Sequence, residues 1–366
     1  MTIDPKYRRA LVVIGTRPEA VKLAPVVHAL RDQGWHAEIL ATGQHSARMI
    51  LDALHPFGLE PDHDIPHWPV PDLGRIVADT AEHVRRRTAE SRGWVIVQGD
   101  TASAFGGALG AWHVRDRGIR LAHVEAGLRT MRLDDPYPEE GYRQMISRIA
   151  HLHCAPTGFA AHALRAEGIP AHRIHVTGNT VVDAMRIAHR RPVEGIDSGC
   201  VLVTLHRRGL PDPSLWAILE AAAAVCAKNS RQLVIVRHPR WIASSRRPHK
   251  NGSCIIEPQR YDALQWILDR AGCVLTDSGG LQEECAARGL PCLVARATTE
   301  RPEACDAGVV RIVGTDPARV AEHLDQLLGA LDHPYPASAA FGTGHAAEHI
   351  ARLLGEWEEN TKIAGA

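Results

Sequence analysis

The sequence predicts an α/β protein built from two doubly wound, Rossmann-like parallel-sheet domains that face each other across a cleft. Apolar runs of strand length alternate with helix-length amphipathic segments from one end to the other. The alternation restarts after the polar stretch 191–199, which reads as a linker. A chain of 366 residues is also long enough for two domains with a core each.

In the first half, strands are predicted at about 10–14, 36–41, 94–98, 120–124 and 174–177, each followed by a segment of helix length. The second series comprises Val201–Thr204, Leu233–Val236, Cys254–Ile256, Val274–Thr276, Cys292–Ala295 and Val310–Val313. A Gly342-Thr-Gly-His345 loop then precedes a final amphipathic helix at about Ala346–Glu358, expected to cross back onto the first domain. The expected division is therefore 1–190, 191–345 and a C-terminal helix in 346–366.

Forty-two basic and forty-two acidic residues cancel, so no nucleic-acid or membrane partner is advertised. Nowhere do 18 apolar residues run together and the amino terminus carries no cleavable leader, which predicts a soluble cytoplasmic protein. Eight scattered cysteines, never spaced Cys-x-x-Cys, read as buried thiols and not as a disulfide framework or zinc site. His151 with His153, or His345 with His349, lack a completing carboxylate or thiolate, so no metal is expected.

The residues able to do chemistry fall after the strands, where such sheets keep their ligands. Arg17, in Gly15-Thr-Arg-Pro-Glu-Ala20 with Lys22 close behind, is held at a helix start by Pro18 and suits a phosphate, or is simply a surface arginine. A dinucleotide-binding Gly-x-Gly-x-x-Gly is missing at this place, which argues against a nicotinamide cofactor. Asp100 closes one apolar run, Glu125 closes another, and Glu139-Glu140 follows Asp135-Pro-Tyr-Pro138. Asp100, Glu125 and Glu139 are candidates for general acid/base work, whereas Glu140 reads as a helix-dipole partner.

In the second domain, His206 with Arg207 or Arg208 could bind or stabilise a diphosphate. Asp277-Ser-Gly-Gly-Leu-Gln-Glu-Glu284 opens a helix after a strand. Backbone N–H groups of Ser278, Gly279 and Gly280 can face phosphate oxygens there, unless the serine merely caps its helix. Glu284 is placed one turn later for ribose hydroxyls, and Arg301 adds a further cation after the next strand.

These motifs, in this order, resemble those of the non-hydrolysing UDP-N-acetylglucosamine 2-epimerases. GTRPEAVKLAP, TGQH, QGDT, HVEAGLRT, PYPEEGYR, TGNTVVDA, LHRR, TDSGGLQEE and TTERPEA span residues 15 to 304. The resemblance implies a fold similar to glycosyltransferase type B, a homodimer, and interconversion of UDP-GlcNAc and UDP-ManNAc. It carries Arg17, Lys22, Asp100, Glu125, Glu139 and His206 over as active-site positions. Ser278, Gly279, Gly280 and Glu284 match diphosphate and ribose contacts, Arg301 a nucleotide-site arginine, and Gln259 the uracil-side segment.

Chemistry leads to the same reaction. The C2 hydrogen of a pyranose nucleotide has no adjacent carbonyl, so the enzyme must either oxidise the sugar transiently or expel UDP from C1 as the C2 proton leaves. Without the dinucleotide fingerprint, the chain fits elimination to a 2-acetamidoglucal and re-addition, with domain closure expected to retain the intermediate.

Some positions depart from the family pattern. Ala47 follows Gln44 and His45 where a second glutamine is common, Gly209 follows the His206-Arg-Arg motif, and His238-Pro-Arg240 is shorter than usual. Tyr142 stands where asparagine is typical, and Ala297 replaces an acidic or amide residue. Gln44 and His45 are candidate allosteric positions, and the neighbouring departures imply that activation by UDP-GlcNAc is lost sooner than catalysis. A modified UDP-sugar, as in antibiotic or polysaccharide biosynthesis, is the alternative substrate. A glycosyltransferase and a non-catalytic UDP-sugar binder are the rival classes.

Overall fold

Strand segments such as Gly93-Trp-Val-Ile-Val-Gln98 are buried at every position, so neither face can meet water. Such runs become central strands of parallel sheets covered by helices on both faces. The computed structural model describes residues 8–67, 72–88, 92–205, 212–237, 253–299, 301–331 and 335–364. They form two units, Met1–Ile187 with Gly342–Ala366, and Ala188–Phe341.

The first unit contains β1 (Arg9–Ile14), α1 (Arg17–Asp32), β2 (His36–Ala41), α2 (Ala47–Leu54), β3 (His63–Asp64), α3 (Leu73–Arg87) and β4 (Gly93–Gln98). It continues through α4 (Ala102–His113), β5 (Ile119–Val124), α5 (Glu139–Ile149), β6 (Leu152–Ala155), α6 (Gly158–Ala166), β7 (Ile174–Val176) and α7 (Thr180–Ile187). All pairings are parallel in the order β3-β2-β1-β4-β5-β6-β7, with the strand order reversing between β1 and β4. Val12 pairs with Ile96 and Gln98 with Val124, so the loops after β1, β4 and β5 emerge side by side.

The second unit comprises β8 (Cys200–Thr204), α8 (Asp212–Lys228), β9 (Leu233–Val236), β10 (Ser253–Ile256), α9 (Tyr261–Leu268), β11 (Ala271–Thr276) and α10 (Gly279–Arg288). β12 (Cys292–Val294), α11 (Pro302–Asp306), β13 (Val310–Ile312) and α12 (Pro317–Leu328) complete it. Its parallel order is β10-β9-β8-β11-β12-β13, with the reversal between β8 and β11. Ligands of doubly wound sheets sit at these reversal points, outside the carboxyl ends of the strands. The α10 turn lies at one of them.

β3 and β6 were not expected from sequence. β3 is two residues long and pairs only with Leu40 and Ala41, too short to leave a pattern. β6 is fully buried, but the histidines in and before it disguise an apolar strand. His153 Nε2 lies 2.9 Å from Ser147 O, and His151 Nδ1 accepts the Leu121 N–H at 3.1 Å. Both rings thus serve the fold.

Close helix packing explains the glycines of α4. A Cβ on Gly106 would lie 2.6 Å from Val77 O, and one on Gly110 2.6 Å from Ala81 O, so α3 and α4 touch backbone to backbone. α13 (Ala346–Ala364) packs on α1 and α7. Asp183 of α7 accepts its first N–H groups, Ala347 at 2.9 Å and Ala346 at 3.3 Å. Farther along, Glu358 accepts from Trp94 Nε1 at 3.0 Å and from Arg120 at 2.5 Å, while Trp357 meets Trp94 edge to face.

Two outcomes follow from these contacts. Glu358→Ala leaves Arg120 and the Trp94 indole without their acceptor and should lower the free energy of unfolding by about 3 kcal/mol in urea titration. Burial, with Arg173, Arg120 and Arg115 nearby, pushes His151 down to about 4 from the ordinary 6.5. The unfolded chain therefore takes up this proton first, so its stabilisation is present above pH 6.5 and is lost as pH falls toward 4. His151→Asn, which keeps an acceptor for Leu121, should weaken the pH dependence of stability across that window by about 1–2 kcal/mol, allowing for partial solvent screening.

Candidate active site

The turn between β1 and α1 is organised by a side chain inside the helix. Glu19, fully buried, accepts the backbone N–H groups of Gly15 at 2.9 Å and Thr16 at 2.6 Å, and the Thr16 hydroxyl at 2.8 Å. Its other oxygen accepts the Thr101 hydroxyl at 2.6 Å. Burial pushes this carboxyl up to about 7 against those hydrogen bonds. Gly15 is required by contact, since a Cβ there would fall 1.8 Å from Ser103 Oγ.

Arg17 opens α1, half-buried, and its N–H donates to His45 Nδ1 at 3.3 Å. Burial lowers the pKa values of both side chains, with Arg17 and His67 also opposing charge on His45. Gln44 Oε1 accepts from Ser103 N at 3.0 Å and Ser103 Oγ at 2.7 Å. Arg17, Gln44 and His45 therefore share one neighbourhood.

Glu125 is the centre of a second group. It sits at φ +58, a left-handed conformation that costs a non-glycine residue about 1–2 kcal/mol. Its buried carboxylate accepts Lys22 Nζ at 2.5 Å, Asn179 Nδ2 at 3.2 Å and the Gln98 amide. Asn179 Oδ1 accepts the Val181 N–H at 3.0 Å, which turns the amide nitrogen toward Glu125. Lys22 and Asn179 satisfy one oxygen of the buried carboxyl and Gln98 the other. Sequence reasoning singled out Lys22 and Glu125 but missed Gln98 and Asn179. Gln98 is nevertheless a polar residue ending an apolar strand, and that position was a usable signal.

Asp100 is half-buried and paired with Arg143, whose Nε donates at 2.6 Å. Arg143 also reaches Glu140 at 3.2 Å. Glu140 does more than partner the helix dipole, because it accepts the N–H groups of Thr130 at 3.0 Å and Met131 at 3.3 Å and so ties their loop to α5. Glu139, half-buried, begins α5 one turn before Arg143. Tyr142 stacks on Phe105 with centroids 4.9 Å apart, and burial, Tyr137 and Glu139 raise its pKa.

In the second unit, the α10 turn is preorganised from below. Thr204 and Thr276 hydroxyls meet at 2.7 Å, and Thr276 Oγ1 accepts the Ser278 N–H at 3.1 Å. The Ser278 side chain makes no capping bond to its helix, so the serine is not there as a simple cap. Arg301 donates to Glu283 at 2.9 Å and lies against Gly279, where a Cβ would come 3.0 Å from its guanidinium carbon. Gly280 has open space at its Cα. The turn and the arginine thus lie together, with N–H donors of backbone and guanidinium side by side.

Glu284 is buried and accepts Gln265 Nε2 at 2.5 Å, with Arg288 at 3.7 Å. Gln259, half-buried, donates to Glu257 O at 2.6 Å. His206, Arg207, Arg208, Gly209 and the 238–240 segment lie outside the described residues. Among the described residues, no group of three or more His, Cys, Asp or Glu side chains could hold a metal ion. All eight cysteines are free thiols, six of them buried.

The family model of UDP-N-acetylglucosamine 2-epimerase matches residues 28–355. The UDP-N-acetylglucosamine 2-epimerase of Salmonella typhimurium is 37% identical, over 94% of this chain and 98% of its own. Crystal structures of UDP-GlcNAc 2-epimerases superpose closely. The Neisseria meningitidis enzyme bound to UDP-GlcNAc has a TM-score of 0.85 at 31% identity, covering 95% of this chain and all of its own. The Methanocaldococcus jannaschii enzyme in complex with UDP-GlcNAc and UDP has a TM-score of 0.79 at 28% identity, covering 95% and 99%. With its two parallel α/β sheets and these likenesses, the chain belongs to the UDP-N-acetylglucosamine 2-epimerase family.

Proposed function

We propose that this protein is a non-hydrolysing UDP-GlcNAc 2-epimerase that interconverts UDP-GlcNAc and UDP-ManNAc by elimination and re-addition of UDP. A carboxylate among Asp100, Glu125 and Glu139 takes the C2 proton, the C1–O bond to UDP breaks, and a C1=C2 bond forms to give 2-acetamidoglucal. A proton then returns to C2 on the opposite face as a UDP oxygen rebinds C1. The sequence is redox-neutral, so it calls for no nicotinamide, and none of its proton transfers calls for a metal.

The observation that carries this reading is the buried Glu125 carboxylate, held by Lys22, Gln98 and Asn179 at the end of β5. A protein that only bound UDP-sugars would have no need to hold a buried carboxyl in a strained conformation against Gln98, at the end of the strand that Asp100 follows. The N-terminal turn of α10 with Arg301 is assigned the diphosphate, Arg17 and His206 add positive charge for the departing UDP, Glu284 takes the ribose and Gln259 the uracil side.

The stacked Phe105–Tyr142 pair beside Glu139 supports a second reading, in which the sugar is a modified UDP-hexosamine. A cytoplasmic homodimer completes the proposal. No described helix is long and apolar enough to cross a membrane. Light scattering should give twice the chain mass, and a monomer would remove the dimer from the account.

Purified protein given UDP-GlcNAc alone should form UDP-ManNAc, resolved by anion-exchange chromatography or NMR. Turnover of only a modified UDP-sugar would select the second reading, and transfer to an added acceptor would select a glycosyltransferase. Asp100→Asn and Glu125→Gln should each lower kcat by about 10²–10⁴-fold while UDP affinity by calorimetry stays within about 3-fold. Undiminished turnover in both variants would remove the acid/base assignment.

A further inference from the structure

The segment Gly99-Asp100-Thr101 is gripped on both sides by buried side chains from two other elements. On one side, His123 of β5 places Nε2 2.8 Å from Gly99 O. A carbonyl oxygen only accepts, so Nε2 carries the ring proton. His123 Nδ1 is buried without a hydrogen-bond partner among the described residues. An orphaned nitrogen of this kind calls for an explanation, and among the described residues the ring's one hydrogen bond goes to the residue before Asp100.

On the other side, Thr101 Oγ1 accepts the Ala104 N–H at 3.0 Å as the cap of α4. Its own proton is therefore the one given to Glu19 Oε1 at 2.6 Å. Capping α4 needs only the first of these bonds. The second joins the residue after Asp100 to the carboxylate that also holds Gly15 and Thr16, immediately before Arg17. Arg143 from α5 then fixes the Asp100 carboxylate itself.

We infer that Glu19 and His123 are positioning residues for Asp100, acting through Thr101 and Gly99, and that they set where its carboxylate meets the sugar. The inference rests on the epimerase reading and on a role for Asp100 in proton transfer. Misplacing a reacting group by about 1 Å can cost about 10²-fold in rate, so a turn held at both flanking residues matters to turnover more than to binding. Neither residue touches the substrate in this account. Each acts on the backbone or hydroxyl next to Asp100.

The test compares pairs of variants that remove or keep each bond. Thr101→Val and His123→Leu should lower kcat for UDP-GlcNAc about 10- to 100-fold with KM within about 3-fold. Thr101→Ser keeps the hydroxyl, and His123→Gln keeps an N–H within reach of Gly99 O, so each should recover most of kcat. Thermal unfolding is followed alongside. Wild-type kcat in both Thr101→Val and His123→Leu would overturn the inference, as would a failure of both conservative variants to recover kcat while their unfolding matches wild type. A wild-type protein without turnover on any UDP-hexosamine would instead overturn the epimerase reading, and this inference with it.

Discussion

A carboxyl largely withdrawn from water must be surrounded by donors, and Glu125 imposes this demand on the first unit. Lys22 answers from α1, Gln98 from the end of β4 and Asn179 from the turn before α7, so three separate elements converge on one residue at the end of β5. Breaking a buried ion pair such as Lys22–Glu125 costs about 3–5 kcal/mol, because the surviving charge is left in a medium that solvates it poorly. The parallel register of β1, β4 and β5 makes the convergence possible, since it brings their carboxyl ends to one level. The left-handed backbone at Glu125 is sustained by the same contacts.

The two units place different groups at the carboxyl ends of their strands. In the first, carboxylates are held by cations and amides: Glu125 by Lys22, Asp100 by Arg143, Glu19 by backbone and hydroxyl donors. Acids fixed this way can exchange protons with little reorganisation. In the second, the α10 turn and Arg301 present donors, with threonine hydroxyls holding the turn from beneath. In the proposed reaction the first environment serves proton transfer and the second the leaving group, and each lies at the carboxyl ends of the strands of a parallel sheet.

Much of this was legible in the sequence, for physical reasons. Apolar runs such as those within 94–98 and 274–276, alternating with helix-length segments, read as buried parallel strands, and Asp100, Glu125 and Ser278–Gly280 stood out as polar or glycine residues where such runs end. β6 stayed hidden because His153 looks polar, although a neutral ring bonded to backbone oxygen sits in a core without difficulty. Gln98 and Asn179 were missed because amides carry no charge to announce a site. Their role depends on a contact with Glu125 across 27 and 54 residues of chain. Glu19 was read only as part of a helix start, since nothing local reveals that its second oxygen reaches Thr101.

The claim on which the account turns is that a carboxylate of the first unit removes the C2 proton while UDP leaves. The most direct measurement is proton NMR of UDP-GlcNAc with the purified protein in deuterated water, without nicotinamide, metal or acceptor. The account predicts UDP-ManNAc carrying deuterium at C2, with deuterium also entering the recovered UDP-GlcNAc at C2. UDP-ManNAc that keeps its original hydrogen at C2 would contradict proton removal to solvent-exchanging carboxylates, and free ManNAc with UDP would show hydrolysis in place of re-addition.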